Sequence, residues 1–186
     1  FGPVGQRQYW EYASDIHSSG RNLLKIINDI LDVARIDAGE RQLNETVVYI
    51  DRTVQGCLDL LGPRIEANDM IVTNLVQQGA PAVIGEEIAI KQMATNLLSN
   101  AIKFTPRGGR ITITQELDQE GALRLSITDT GVGLTEDEIG RALSRFGQVD
   151  TALSRSTSGA GLGLTLVRSL IGLHGGEPRV VSQKGD

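Results

Sequence analysis

The hydrophobic period changes once along this chain, at Gly39, and that change calls for two kinds of packing. Before it, Ile16, Leu23, Ile27, Ile30 and Ala34 recur at roughly 3.5-residue spacing, with Gly20 filling the one gap. Leu24, Ile26, Leu31 and Val33 widen the stripe beyond a narrow two-helix seam. Residues 6–38 are therefore expected to form one long helix that packs in a bundle, with partner helices outside this chain. Asp37-Ala38-Gly39 supplies its stop signal.

Beyond Gly39 the pattern mixes strands and helices. Residues 43–50 read as a strand, and Asp51 as the N-cap of a helix over 52–67. Residues 70–76 and 82–84 read as further strands, and 86–103 as a strong helix. Ile111 and Ile113 then alternate with threonines, and Leu123, Leu125 and Ile127 with Arg124, Ser126 and Thr128. Those are two antiparallel strands joined by a turn near Gly121. A short helix over 135–145, a last helix over 162–173 and a strand over 178–182 complete the reading. The fold class is an α/β (α+β) two-layer sandwich preceded by a bundle-forming helix.

Composition excludes several functions. A net charge of −5 argues against a nucleic-acid binder, whose backbone footprint needs clustered Lys and Arg. Charges such as Arg168 break the longest apolar stretches, so no membrane contact is expected from this segment. FGPVGQRQYW lacks the layout of a signal peptide, and cytoplasmic surroundings fit best, with the full-length protein free to be membrane-anchored. Cys57 stands alone and reads as buried packing.

Three segments carry the chemistry: NLLSNAIKFT at 96–105, DTGVG at 129–133 and GAGLGL at 159–164. On the helix over 86–103, Ile90, Met93, Leu97, Ala101 and Phe104 mark the expected core face. Asn96, Asn100 and Lys103 form a stripe bordering it. An asparagine carbonyl is a neutral hard oxygen suited to magnesium that keeps phosphates and water as its other ligands. Lys103, one turn on, offsets phosphate charge. The blander alternative is that both asparagines satisfy nearby backbone.

Asp129 has the parity of Leu123, Leu125 and Ile127, so it is expected on the apolar face, where a carboxylate needs donors. Adenine offers one in its exocyclic amine, whereas guanine presents an oxygen there. Gly131 and Gly133 let the backbone turn beneath a base without a Cβ in the way. DTG after an apolar strand is also the mark of aspartic proteases, but that chemistry needs a second such strand or a flap-bearing homodimer. Here a long polar loop and another glycine cluster follow instead. Gly159, Gly161 and Gly163 open the last helix and leave bare N–H groups there, a phosphate seat. Their spacing is neither the dinucleotide fingerprint nor a Walker loop. Residues 147–158 look able to close over a ligand. Phe146 is a candidate wedge for that lid, and Arg155 a candidate phosphate contact.

Taken in order, these segments resemble the boxes of sensor histidine kinases. NLLSNAIKFTP resembles the N box, RFGQVD the phenylalanine box, and DTGVGL and GAGLGL the two glycine boxes. YASDIHSSGRNLLKIINDILDVARIDAGE resembles the second helix of the dimerisation and phosphotransfer domain. The resemblance implies a GHKL-type ATP-binding fold, with residues 1–39 a partial dimerisation helix and 40–186 the catalytic domain. It implies ATP and Mg2+ as cofactors, magnesium contact at Asn100, phosphate contact at Asn96 and Lys103, and adenine contact at Asp129. The implied partners are a second copy, through helix 6–38, and a response regulator or phosphotransfer protein.

Three departures stand beside it. No phosphoacceptor box follows the family pattern: His17 precedes Ser18-Ser19-Gly20-Arg21, without an adjacent carboxylate, and is expected to be an ordinary partly buried histidine. His174 is expected to cap a helix end. Ala160 replaces the hydroxyl residue usual in the second glycine box. Lys184-Gly185-Asp186 ends the sequence where the family continues into a final strand, so a fragment is expected. Two functions remain open: the kinase's catalytic portion, transferring the ATP γ-phosphoryl to a histidine, or a pseudokinase scaffold working through helix contacts. A GHKL chaperone or repair ATPase is disfavoured by the bundle helix.

Overall fold

The structure is a computed structural model that describes residues 7–79, 81–119, 121–144 and 161–184. In chain order the elements are α1 (Arg7–Asp37), β1 (Thr46–Val48), α2 (Ile50–Ala67), β2 (Ile71–Asn74) and β3 (Val83–Gly85). They continue with α3 (Glu87–Phe104), β4 (Arg110–Leu117), β5 (Leu123–Asp129), α4 (Glu136–Ala142) and α5 (Gly163–Leu173).

The stop signal of α1 works as expected. Gly39 takes φ 70°, its N–H reaches the Ile36 carbonyl, and the Glu40 N–H reaches back to Arg35, which closes the last turn with two reversed bonds. The parity of the long strands also holds. β4 and β5 pair antiparallel with Ile113 opposite Ile127, and β2 adds to β4 in parallel, with α3 lying on the connection between them. The sheet order is β2-β4-β5, and β1 with β3 makes a separate antiparallel pair.

Helices α2 and α3 cover one face of this sheet. Val54, Cys57 and Leu61 of α2 and Ala94, Leu98, Ala101 and Ile102 of α3 close on Ile111 and Ile113, with Leu123, Leu125 and Ile127 packed alongside. Cys57 is buried as expected, its Sγ lying 3.3 Å from the Thr95 hydroxyl. A second core lies behind α3, where Val33 and Ile36 of α1 meet Ala89 and Met93 of α3 and Leu166, Leu170 and Leu173 of α5. Among the described residues, only this end of α1 is covered. Its upstream stripe is open, with Ile16 73% exposed, and His17 is exposed rather than partly buried.

Four local expectations change. The strand expected over 43–50 contracts to β1, because Ile50 is already helical and buried. Tyr49, not Asp51, occupies the N-cap of α2. Asp51 sits in the first turn and its carboxylate accepts the N–H groups of Gly79 and Arg52, which hold it below the usual carboxylate range. The core face of α3 is shifted from Leu97 to Leu98 because two cores, not one, grip the helix from different sides. Residues 178–182 enter no ladder: they run without regular structure, engaged through side chains rather than backbone pairs.

Candidate functional site

The C-terminal half of α3, the end of β5 and the first turn of α5 converge on one locality. A Cβ built on Gly163 would lie 3.8 Å from Asn96 Cγ and 3.9 Å from Asn100 Nδ2. The first turn of α5 thus rests against the asparagine stripe of α3. The two cores that grip α3 explain why the stripe is not solvated: Asn96 is only 8% exposed. Among the described residues its Nδ2 has no hydrogen-bond partner, while its Oδ1 lies 3.5 Å from the Lys25 ammonium of α1. A buried amide donor left unpaired is costly, so this atom suits an acceptor brought by a ligand. The reading of Asn96 as merely satisfying neighbouring backbone does not fit it.

Asn100 is half-buried one turn on. Lys103 follows, and burial, helped by nearby Arg64, pushes its ammonium below the ordinary lysine range. Its Nζ lies 5.0 Å from the centre of the Phe104 ring. An anion beside it would offset both effects. At α5, Gly161 takes φ 69° and Leu162 caps the helix without a side-chain bond. The first turn of α5 carries no acidic side chain, so its bare end remains suited to an anion.

The DTGVG segment joins the site through Thr105, which sequence reading passed over. Thr105 is buried at the C-cap of α3, and its hydroxyl lies 3.5 Å from Asp129 Oδ1. The same oxygen accepts the Gly131 N–H at 2.8 Å. The only signal for Thr105 was its place as the last residue of the first segment. Asp129 itself departs from expectation: it is exposed rather than buried. It is the last residue of an edge strand, at the level where α3 has already ended, so the parity that points it to the apolar face meets no cover there.

Both glycines of this turn are required by the packing of the chain itself. A Cβ on Gly131 would sit 2.5 Å from Asp129 Oδ1 and 2.8 Å from the Phe104 carbonyl oxygen. Gly133, at φ 66°, would drive a Cβ into the Gln183 carbonyl. The bareness first serves close approach of the chain to itself. Phe146, Arg155 and Gly159, together with Ala160, lie outside the described residues.

No group of three His, Cys, Asp or Glu able to hold a metal occurs among the described residues. Magnesium that keeps phosphate and water ligands needs only one or two protein oxygens, so Asn100 fits such an ion, whereas the described residues form no protein-made cage. A groove of about 860 Å³ between α1 and α3 shares Asn96 with this locality. It is lined by charges of both signs, with buried Asp29 already paired to Lys25 at 2.7 Å. His174 works elsewhere as a tie: its Nε2 accepts the Glu86 N–H at the start of α3 and its Nδ1 donates to the Leu170 carbonyl.

The family model of histidine kinase-, DNA gyrase B- and HSP90-like ATPases matches residues 85–186, which contain every element of this locality. The chain belongs to that family. Among its relatives, the non-motile and phage-resistance protein of Caulobacter vibrioides is 39% identical over 189 residues, spanning all of this chain and 22% of that protein. Histidine protein kinase DivJ of the same organism is 39% identical over 185 residues, spanning all of this chain and 30% of that protein. The chain therefore spans less than a third of either relative. Full-length ShkA, solved in complex with AMPPNP, superposes with a TM-score of 0.77 at 29% identity, covering 91% of this chain and 35% of that one. The mycobacterial sensor histidine kinase MprB gives a TM-score of 0.61 at 28% identity over 70% of this chain and 80% of its own. The two-layer sandwich is thus the fold of this ATPase family, with α1 as a long helix in front of it. No helix among the described residues is long and apolar enough to cross a membrane.

Proposed function

We propose that this chain is the Mg-ATP-binding catalytic part of a sensor histidine kinase. In this reading residues 1–39 belong to a dimerisation and phosphotransfer helix, and residues 40–186 form the catalytic domain. The observation that carries it is the close approach of the α5 start at Gly163 to Asn96 and Asn100, which sets an anion-suited helix start beside a buried amide donor unpaired among the described residues. Asn96 and Lys103 contact phosphate oxygens, and the N–H groups at Gly161 and Gly163 add to them. Asp129 accepts the exocyclic amine of adenine and selects against guanine. On sequence grounds, Phe146 wedges a lid over 147–158, Arg155 contacts phosphate, and Gly159 joins Gly161 and Gly163 in the phosphate seat. Asn100 would hold magnesium, which would supply neutralisation of the phosphate charge. The work of the chain's own residues is positioning and charge balance.

The γ-phosphoryl passes from ATP to an imidazole nitrogen of a histidine on the dimerisation helices, and ADP leaves. His17 is not that acceptor: no carboxylate follows it to take the imidazole proton. His174 is not either, since both ring nitrogens are engaged with backbone. A second copy packs on the open stripe of α1, and a response regulator or phosphotransfer protein receives the phosphoryl group. The scaffold alternative has no observation in its favour. The test is calorimetry with Mg-ATP and Mg-GTP, together with incubation in γ-labelled ATP. Binding that prefers ATP, with no acid-labile label gained by this chain, is expected. Absence of ATP binding overturns the reading, and label on His17 overturns the assignment of the acceptor.

A further inference from the structure

The turn between β5 and α4 is built from two sides. On the first side, the Thr130 N–H reaches the Arg110 carbonyl, the Gly131 N–H reaches Asp129 Oδ1 and the Val132 N–H reaches the Phe104 carbonyl. These bonds come from the sheet and from α3. On the second side the acceptors change. The Leu134 N–H goes to Ser182 Oγ at 2.8 Å, and the Thr135 N–H goes to Glu138 Oε2 at 2.8 Å. Ser182 belongs to the stretch expected to be a strand, so that stretch supplies a side-chain acceptor to the turn in place of a ladder.

Two residues past Ser182, the chain also holds Glu138. This residue closes a reciprocal cap with Thr135, whose hydroxyl accepts the Glu138 N–H at 3.3 Å. Glu138 is buried, and its two oxygens take the Lys184 ammonium at 3.0 and 3.2 Å. Between these anchors the Gln183 backbone passes so close to Gly133 that no Cβ fits. A backbone-to-backbone contact cannot relax by a change of rotamer, so the turn and residues 182–184 are registered against each other. The Asp129 carboxylate is itself held by the Gly131 N–H of that turn.

We propose that residues 182–184 are a strap that sets the adenine-binding turn, with Ser182 and Lys184 as positioning residues for nucleotide recognition. The proposal rests on the nucleotide-binding reading and extends it to residues that touch no nucleotide. Lys184 acts through Glu138 and Thr135, Ser182 acts through Leu134, and both effects meet at Gly131 and Asp129. Because the strap bears on the base and not on the phosphates, its loss weakens ATP and ADP by the same factor.

The experiment compares the whole chain with Lys184→Met, Lys184→Arg and Ser182→Ala. It reads calorimetric affinity for ATP and ADP well below each thermal midpoint, and the amide resonances of Gly131, Gly133 and Leu134. Lys184→Met is expected to weaken both nucleotides by roughly threefold to tenfold, the span of one lost hydrogen bond. The three amides are expected to shift, and Lys184→Arg to restore both readouts. A merely structural role would lower the midpoint and leave affinity and the turn amides unchanged. Should Lys184→Met not fold, Ser182→Ala carries the same expectation with no charge removed. Wild-type binding with unaltered affinity in the folded variants overturns the strap alone. A wild-type chain that binds neither nucleotide overturns the nucleotide reading, and the strap falls with it.

Discussion

Replacing Asp129 with asparagine changes one atom of the proposed adenine contact and leaves the rest of the turn standing. Both described bonds to the carboxylate, from Gly131 N–H and from the Thr105 hydroxyl, fall on Oδ1. An asparagine keeps that acceptor and turns the second oxygen into an NH2 group. Adenine's exocyclic amine then faces a donor instead of a charged acceptor. The loss is that of a charge-assisted hydrogen bond, about 1.5–3 kcal/mol, or roughly ten- to 150-fold in affinity for ATP. Guanine gains where adenine loses, because its carbonyl oxygen can accept from the new NH2, so the preference for ATP over GTP should shrink from both sides. Stability should hardly move: Asp129 is exposed, and surface substitutions of this kind stay within about 0.5 kcal/mol. Calorimetry with both nucleotides, beside thermal melts of the two apo proteins, reads all three quantities. Unchanged ATP affinity in a folded Asp129→Asn variant, or unaltered discrimination against GTP, would refute the reasoning.

Asn100→Ala should leave the apo thermal midpoint nearly unchanged while removing most of the stabilisation that Mg-ATP confers, read by melts with and without ligand. A variant already badly destabilised without ligand would mean a structural amide. Glu138 provides a pH test, since its carboxyl is lowered to about 2 from 4.5 by the Thr135 N–H first and Lys184 second. A carboxyl whose folded value is depressed adds stability above its unfolded value and loses it as pH falls toward the folded one. The wild-type midpoint should therefore decline from about pH 4.5 downward, and Glu138→Gln should flatten that part of the curve. An identical decline in the variant would remove Glu138 from the account. The open stripe of Ile16, Leu23, Leu24, Ile27, Ile30 and Leu31 should make the chain self-associate, most simply as a symmetric dimer. Light scattering at high concentration checks this, and a well-behaved monomer counts against it.

Periodicity and turn chemistry are properties of one segment, so the sequence alone settled what depends on one segment. The long helix and its stop at Gly39, the inward parity of Ile111, Ile113, Leu123, Leu125 and Ile127, and the chain order of the three ligand-type segments were all legible. What covers a given face is not a property of that segment. Asn96 is buried only because α5 and α1 close on α3 from the side opposite the sheet, and Asp129 is open only because α3 ends before covering it. The same limit misplaced Asp51 and Leu97, whose positions follow from Gly79 and from the second core. Residues 178–182 carried a strand's pattern, but a ladder needs a partner with free backbone groups, and among the described residues they meet the turn through Ser182 instead, with Lys184 just beyond them holding Glu138. Gly133 states the division most plainly. Its sequence shows a flexible turn, and only the packed chain shows that Gln183 lies where its Cβ would be. Burial, pairing and close approach are pairwise quantities, and tertiary structure is what chooses the pairs.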